Sequence, residues 1–286
     1  MNPFALAGFA FLGFYLLASA LIASLLLAWN RRVETAGRSP QQSLTDPYLI
    51  AYLRAGENEA LRVATVALLD RGLLTAVGGV LTTKNADSVE LAKRPIEKAI
   101  LNHYLLAAEA HKIFKSLAAL GACRSYRKVL VDQGMIADAG VYFIRLLPTL
   151  IAAGTLIAIS WTKVNIALSQ GRHNVVFLIF LTVISMLVVI VIFLRRRTGL
   201  GDAMMADLRS LFGRLKGRAT SLRAGGQTNE AALLAAVFGL SSLPVARFPF
   251  LEKLYPKKAS DGSGCGSSCG SSSGCGGGCG GGGCGG

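Results

Sequence analysis

Charged residues are scarce in this chain. Only 16% of its 286 residues are Asp, Glu, Lys or Arg, whereas soluble domains carry about 25%. The deficit is concentrated in two stretches, residues 1–30 and residues 175–194, which contain no charged side chain. Such gaps argue against a single water-soluble globular domain and are typical of an integral membrane protein.

Sequence patterns of common catalytic sites are also missing. The chain has no Ser-His-Asp, Cys-His, HExxH, Walker or dinucleotide-binding pattern, and its three histidines are scattered. No Asp, Glu, Lys or Arg lies inside an apolar run, and proton relays and ion paths usually depend on such intramembrane groups. We therefore expect neither an enzyme nor a transporter, and no cofactor in the folded regions.

Three apolar runs predict three transmembrane helices in a mostly α-helical protein. They cover residues 1–30, 146–162 and 175–194. At about 1.5 Å per residue, the first run can cross a hydrocarbon core of about 30 Å. It lacks a basic start and exceeds the apolar region of a signal peptide, so we expect an uncleaved anchor.

Basic residues beside these runs predict the orientation of the chain. Arginines follow the first run, precede the second and form a triplet after the third: Arg31, Arg32, Arg145 and residues 195–197. By the positive-inside rule, the N-terminus lies outside the cell membrane, and residues 31–145 and 195–286 are cytoplasmic. Residues 163–174 then form an external loop. The net charge of +14 suits cytoplasmic flanks that face anionic lipid.

The segment 31–145 reads as a small helical domain. Asp46 and Pro47 are a helix cap and first helical residue, and Gly56 suits the helix end. A second helix is predicted over residues 58–71, and Gly78-Gly79 predicts a β-hairpin. Further helices are expected over 95–107, 109–120 and 122–133.

A weak internal repeat lies within this domain. Residues 68–76, LLDRGLLTA, align with residues 130–138, LVDQGMIAD. Helices followed by Gly and a short strand are typical of winged-helix modules, so we expect two winged-helix-like units. Nucleic-acid binding through Arg124, Arg127 and Lys128 would be one use of such a module. The region is only mildly basic, so we do not expect nucleic acid as a partner.

The segment 195–258 is predicted to form amphipathic helices. Asp202 is a candidate cap, and an apolar stripe with helical spacing follows, formed by Leu208, Leu211, Phe212 and Leu215. Because arginines and a lysine surround the stripe, it could lie on the lipid surface or dock on the preceding domain. A further helix is expected over residues 229–238.

Two stretches and the C-terminus together resemble a known family. They are DPYLIAYLRAGENEALRVATVALLDRGLLTA (residues 46–76), AALLAAVFGLSSLP (residues 231–244) and the Gly/Cys-rich end. They are similar to an uncharacterised family of bacterial membrane proteins with an N-terminal span, a DPY…RGLL block, two further spans and often a Gly/Cys-rich tail. Glu57-Asn58 stand where that family often has a link richer in Gly, Pro and Arg. The resemblance implies the three-span topology and assigns no catalytic residue.

Residues 259–286 are a tail of Gly, Ser and Cys that we expect to be disordered. It carries five cysteines, Cys265, Cys269, Cys275, Cys279 and Cys284. Two Cys-x3-Cys pairs are compatible with Zn²⁺ or Cu⁺, but no apolar residue is present to pack around a site. A reducing cytoplasm and an odd count argue against disulfides. Thiol redox sensing, acylation and assembly remain open, and Cys123 is expected to be a small buried apolar residue.

Two functional hypotheses follow. The first is a non-enzymatic interaction or scaffold protein that sits in the lipid bilayer and presents a cytoplasmic helical domain to a protein partner. The second is a metal- or redox-responsive membrane protein that acts through the cysteines of its tail.

Overall fold

The structure, a computed structural model, describes residues 8–35, 44–85, 87–169, 176–217, 230–244, 248 and 250–255. These residues form a mostly helical protein with one small sheet. Three helices are long and apolar enough to cross a membrane, and the remaining elements build a separate polar domain.

The three apolar helices pack into a bundle. They are α1 (Gly8–Thr35), α7 (Ala139–Ser169) and α8 (Val176–Phe193). Their shared core contains Phe11, Tyr15, Leu156 and Val189, and Ser160 hydrogen-bonds Thr182 across α7 and α8 at 2.8 Å. Most of their large apolar side chains face outward. This arrangement suits a lipid environment, where outward apolar groups carry no hydration penalty.

The second apolar helix is longer than the sequence suggested. α7 begins at Ala139 and ends at Ser169, so it continues beyond the expected span at both ends. Pro148 lies inside it. A proline is tolerated in an apolar helix where neighbouring groups satisfy the freed carbonyl. Part of the expected external loop is therefore helical, and residues 170–175 lie outside the described part.

The first half of the polar domain follows its local signals closely. α2 (Pro47–Ala55) and α3 (Glu57–Asp70) are followed by β1 (Leu74–Val77) and β2 (Val80–Thr83). The Asp46 carboxylate accepts the Tyr48 backbone N–H at 2.9 Å, which confirms it as the helix cap. Gly78 and Gly79 have φ of 60° and 89°. Both central turn residues are thus left-handed, as a two-residue hairpin requires.

The second half differs from the expected three helices. It contains α4 (Ser88–Leu91), α5 (Pro95–His103), β3 (Ala108–Glu109), a 3₁₀ helix (Ala110–Lys115) and α6 (Leu117–Asp132). β3 pairs with β2, giving the antiparallel sheet order β1-β2-β3. That pairing holds residues 108–109 extended and prevents a helix from starting there. α6 runs through Gly121 because Ala119, Cys123, Tyr126 and Leu130 form one continuous buried face.

The chain after the bundle completes the polar domain. α9 (Gly199–Leu211) leads to α10 (Gly213–Gly217), and α11 (Glu230–Phe238), a 3₁₀ turn (Leu240–Ser242) and α12 (Phe250–Leu254) follow. Thr198, not Asp202, caps α9, since its hydroxyl accepts the Gly201 N–H at 3.2 Å.

One face of α9 packs into the core of the polar domain. Leu200, Met204, Met205 and Leu208 are buried in the polar domain, whereas Leu211 is 72% exposed. The side chain of Leu215 lies outside the described part. Of the predicted stripe, Leu208 is therefore buried in the preceding domain and Phe212 packs against its core, whereas Leu211 does not dock there.

Candidate functional site

A short antiparallel pair of backbone hydrogen bonds joins the bundle and the polar domain. Gly134, with φ of 70°, turns the chain after α6. The Ala137 N–H donates to the Arg196 carbonyl at 2.9 Å, and the Thr198 N–H donates to the Met135 carbonyl at 3.2 Å. The extended end of the second repeat copy, residues 130–138, therefore pairs with the α8–α9 connection and forms no hairpin. It ties the α8–α9 connection to the polar domain.

Arg145 lies at the centre of this junction. It is only 2% exposed. Its Nε donates to Glu34 Oε1 at 2.6 Å. One terminal nitrogen donates to the Arg195 carbonyl and the other to the Arg197 carbonyl at 3.1 Å. The planar guanidinium thus joins α1, α7 and the α8–α9 connection with three directed hydrogen bonds.

Glu34 completes the junction from the side of α1. Its second carboxylate oxygen accepts the Gly199 N–H at 2.7 Å, at the start of α9. A negative charge is stabilised there by the unpaired N–H groups and the dipole of the helix. Both side chains of the Glu34–Arg145 pair are buried, at 5% and 3% exposure. We call Glu34, Arg145 and the backbone groups that they bind the junction pair.

Sequence reasoning did not foresee this pair. Arg145 was expected beside the membrane surface and not inside the protein. The available signal was that Glu34 is the first acidic residue of the chain and lies just after an apolar run. Its partner is 111 positions away, and nothing local indicates that separation.

Glycines allow α9 to approach its neighbours closely. A Cβ on Gly199 would lie 3.1 Å from Cα of Arg31. A Cβ on Gly201 would overlap the Met135 carbonyl oxygen. Backbone therefore contacts backbone at the start of α9, which fixes the distance between the bundle and the polar domain.

A cleft lies beside the junction pair, between α1, α7 and the α8–α9 connection. We call it the junction cleft; its lining comprises Leu27, Asn30, Arg31, Glu34, Arg145, Ile192, Arg195, Arg197, Gly199 and Asp202. Asp202 pairs with Arg197 at 3.3 Å and approaches Arg195 at 4.0 Å. Burial lowers the pKa of Arg197, and the Asp202 carboxylate opposes that shift.

A second polar cluster joins the starts of α2 and α5. The Tyr48 hydroxyl donates to Glu97 Oε1 at 2.7 Å, and Arg71 donates to the same oxygen at 3.0 Å. Arg94 pairs with Asp46 and lies 4.8 Å above the centre of the Tyr48 ring. Burial, followed by the charge of Glu97, raises the pKa of Tyr48, so the hydroxyl remains a donor. The Asp-Pro-Tyr motif therefore clamps two helix starts together.

Arg196 contacts the polar domain on another side. Its guanidinium lies 4.6 Å from the centre of the Tyr52 ring. It also covers Gly56, whose φ of 94° ends α2. The triplet thus makes two kinds of contact: the Arg195 and Arg197 carbonyls accept hydrogen bonds from Arg145, and the Arg196 side chain stacks on α2.

The predicted metal ligands lie outside the described residues. Cys265, Cys269, Cys275, Cys279 and Cys284 all fall within residues 256–286. Within the described ranges, no group of three or more His, Cys, Asp or Glu side chains could hold a metal ion. Cys123 is buried as expected, and burial raises the pKa of its thiol to about 12. It is therefore a protonated thiol and not a reactive thiolate.

The basic residues considered for nucleic-acid binding all lie on α6. Arg124, Arg127 and Lys128 are exposed there. No family model, curated protein or solved structure matches this chain.

Proposed function

We propose that this chain is a multi-pass protein of the bacterial cell membrane with its polar domain in the cytoplasm. Support comes from three helices that are long and apolar enough to span a membrane. The arginines at the polar-domain end of the bundle favour that end as the cytoplasmic one. The resemblance to the uncharacterised bacterial family carries the same topology, with the N-terminus outside and residues 163–174 external.

Within that membrane protein, the polar domain serves as a scaffold that binds a protein partner and performs no chemistry itself. The observation that carries this proposal is the junction pair. It holds Glu34, Arg145 and the start of α9 in one buried network. A domain fixed in this way keeps one orientation relative to the bilayer, which a docking platform needs and a flexibly tethered domain lacks.

Exposed leucines on the polar domain supply a candidate contact surface. Leu106 is 83% exposed and Leu117 is 84% exposed. They bracket the segment that contains β3 and the 3₁₀ helix. Large apolar side chains in water are a feature of protein-binding surfaces when they occur together. The winged-helix-like character expected of residues 31–145 would then serve protein binding, and nucleic acid is not proposed as the ligand.

In-cell photo-crosslinking tests this proposal on the full-length protein. A photoreactive amino acid is placed at Leu106 or Leu117, with exposed Lys98 on α5 as the matched control position. We expect the same discrete protein adduct from both leucine positions and a much weaker one from Lys98. A pattern identical at all three positions, or no adduct at either leucine, would reject the scaffold function.

The cysteines of the tail support a second candidate, a metal- or redox-responsive function. Cys265/Cys269 and Cys275/Cys279 have the spacing of paired thiolate ligands. We expect the purified protein to retain Zn²⁺ or Cu⁺ in a defined ratio and to lose it after truncation at Ser260. Metal at background level in the intact protein would contradict this candidate and leave the scaffold proposal unaffected.

A further inference from the structure

The junction cleft has an apolar side and a charged side. Leu27 of α1 and Ile192 of α8 line it toward the bundle. Arg31, Arg195 and Arg197 line it toward the polar domain. The enclosed space is only about 10 Å³, so the cleft suits an amphipathic ligand that lies across its mouth, with the apolar part toward the bundle and the charged part toward the polar domain.

The charged side of the cleft has an excess of cations. Arg145 and Glu34 neutralise each other. Asp202 is then the one remaining carboxylate of the lining, facing Arg31, Arg195 and Arg197. Among the described residues, the Arg31 side chain has no carboxylate partner. The cleft therefore favours an anionic group over a zwitterionic or cationic one.

Asn30 contributes a polar side chain to the lining of the cleft. The residue is 8% exposed and lines the cleft. Its side-chain amide has no hydrogen-bond partner among the described residues, and its polar atoms are not among the fully enclosed ones there, so they keep access to solvent. The amide can donate two N–H bonds, and phosphate oxygens are suitable acceptors.

The position of the cleft along the helices sets its depth in a bilayer. α8 ends at Phe193, directly before the arginine triplet, and α1 ends at Thr35, just after Glu34. The cleft thus lies where an apolar span gives way to charged residues, which is the level of lipid headgroups. Basic pockets between transmembrane helices on this side of a membrane bind anionic headgroups.

We propose that the junction cleft binds the phosphate of an anionic phospholipid from the cytoplasmic leaflet. Asn30 and Arg31 contact the phosphate oxygens, Arg195 borders the headgroup, and half-buried Leu27 contacts the start of an acyl chain. The proposal rests on the membrane insertion proposed above and is independent of any protein partner. Leu27 and Ile192 already pack in the bundle core, so the displacement experiment below is what distinguishes a lipid from free phosphate.

Native mass spectrometry of the full-length protein tests the site. The protein is released from micelles that contain equal amounts of phosphatidylglycerol and phosphatidylcholine with matched chains, and the retained lipids are counted. We expect phosphatidylglycerol to be retained about fivefold more than phosphatidylcholine, and Arg31→Gln to remove most of that preference. Arg32→Gln is the matched control, since Arg32 is exposed on the next position of α1 and does not line the cleft.

Four further measurements make the outcome decisive. Arg31→Lys should keep the preference, because it keeps the charge, and Asn30→Ala should weaken it in a protein that elutes normally on size exclusion. Equal retention of both lipids, or equal losses in the Arg31 and Arg32 variants, would overturn the proposal. Displacement of the lipid by excess inorganic phosphate would overturn it in favour of a soluble anion. Extraction of the protein from membranes by carbonate would instead reject the membrane insertion itself.

Discussion

Arg145 and Glu34 show how one residue pair can join a membrane anchor to a folded domain. Both charges are removed from water, which is costly unless hydrogen bonds satisfy the remaining polar atoms. Here Arg145 also reaches two carbonyls, and Glu34 also accepts the Gly199 N–H. These hydrogen bonds offset the cost of removing the two charges from water as long as both residues are present.

Truncating either member should destabilise the protein strongly. Arg145→Ala or Glu34→Ala leaves one buried charge unpaired, and we expect a loss of about 3–5 kcal/mol in the free energy of unfolding. Exposed Arg32→Ala is the control and should change it by less than about 0.5 kcal/mol. Thermal unfolding of the purified protein in detergent measures the difference. Equal melting temperatures for the Arg145 and Arg32 variants would show that the pair does not hold the junction.

Gly56 is a second residue on which the junction depends. Its backbone, at φ of 94°, is one that other residues rarely adopt, and a Cβ would overlap the Arg196 guanidinium. Gly56→Ala should therefore cost on the order of 1–3 kcal/mol from backbone strain, plus the displacement of Arg196 from Tyr52. Both single changes remove the same contact between Arg196 and Tyr52. The Gly56→Ala, Arg196→Ala double variant should therefore lose no more unfolding free energy than the two single variants lose together.

Gly121 is the matched control for Gly56. It lies inside α6, where a Cβ would meet nothing within 4 Å. Gly121→Ala should stabilise the protein by about 0.5–1 kcal/mol, because alanine favours a helix. Chemical or thermal unfolding compares the two variants. A destabilised Gly121 variant, or a neutral Gly56 variant, would contradict the conformations described for them.

At the scale of elements, α9 connects the polar domain to the bundle. Its N-terminal turn packs on α1 and on the Met135 backbone, and its apolar residues enter the domain core. A helix with this sequence could also lie on a lipid surface, since basic residues flank its apolar stripe. The structure uses Leu200, Met204, Met205 and Leu208 for the core instead.

Two substitutions in α9 separate these alternatives. Met205 is 1% exposed, and Leu211, on the opposite side, is 72% exposed. We expect Met205→Ala to cost about 2–5 kcal/mol in unfolding free energy through the cavity that it creates. Leu211→Ala should be nearly neutral for unfolding in detergent. Comparable destabilisation by both would indicate that the stripe around Leu211 is also packed.

The elements also show what a sequence can and cannot predict. The cap at Asp46, the turn at Gly78-Gly79 and the end of α2 at Gly56 were predictable because each depends on neighbours in the chain. The strand β3 was not, because it depends on the pairing of Ala108 with Leu81, a residue distant in the sequence. Arg145 and Asn30 were missed for the same reason: their environment consists of elements distant in sequence.

At the scale of the whole molecule, the polar domain is held at one end of a bundle of three helices that are long and apolar enough to span a membrane. The orientation in the membrane is the claim on which the scaffold and lipid proposals both depend. Under the positive-inside rule, the arginines at the junction favour the proposed cytoplasmic side for the polar domain. The same proposal puts the tail cysteines on that side, because the sequence has no further long apolar run between α9 and the tail.

Cysteine labelling in intact cells measures that orientation most directly. The cells are treated with a membrane-impermeant maleimide before or after lysis, and the reagent on Cys265, Cys269, Cys275, Cys279 and Cys284 is counted. Buried Cys123, whose thiol pKa is about 12, adds little background, and a variant with serine at the five tail positions controls for it. We predict labelling of the tail only after lysis. Labelling of the tail in intact cells would place the polar domain outside and contradict the account.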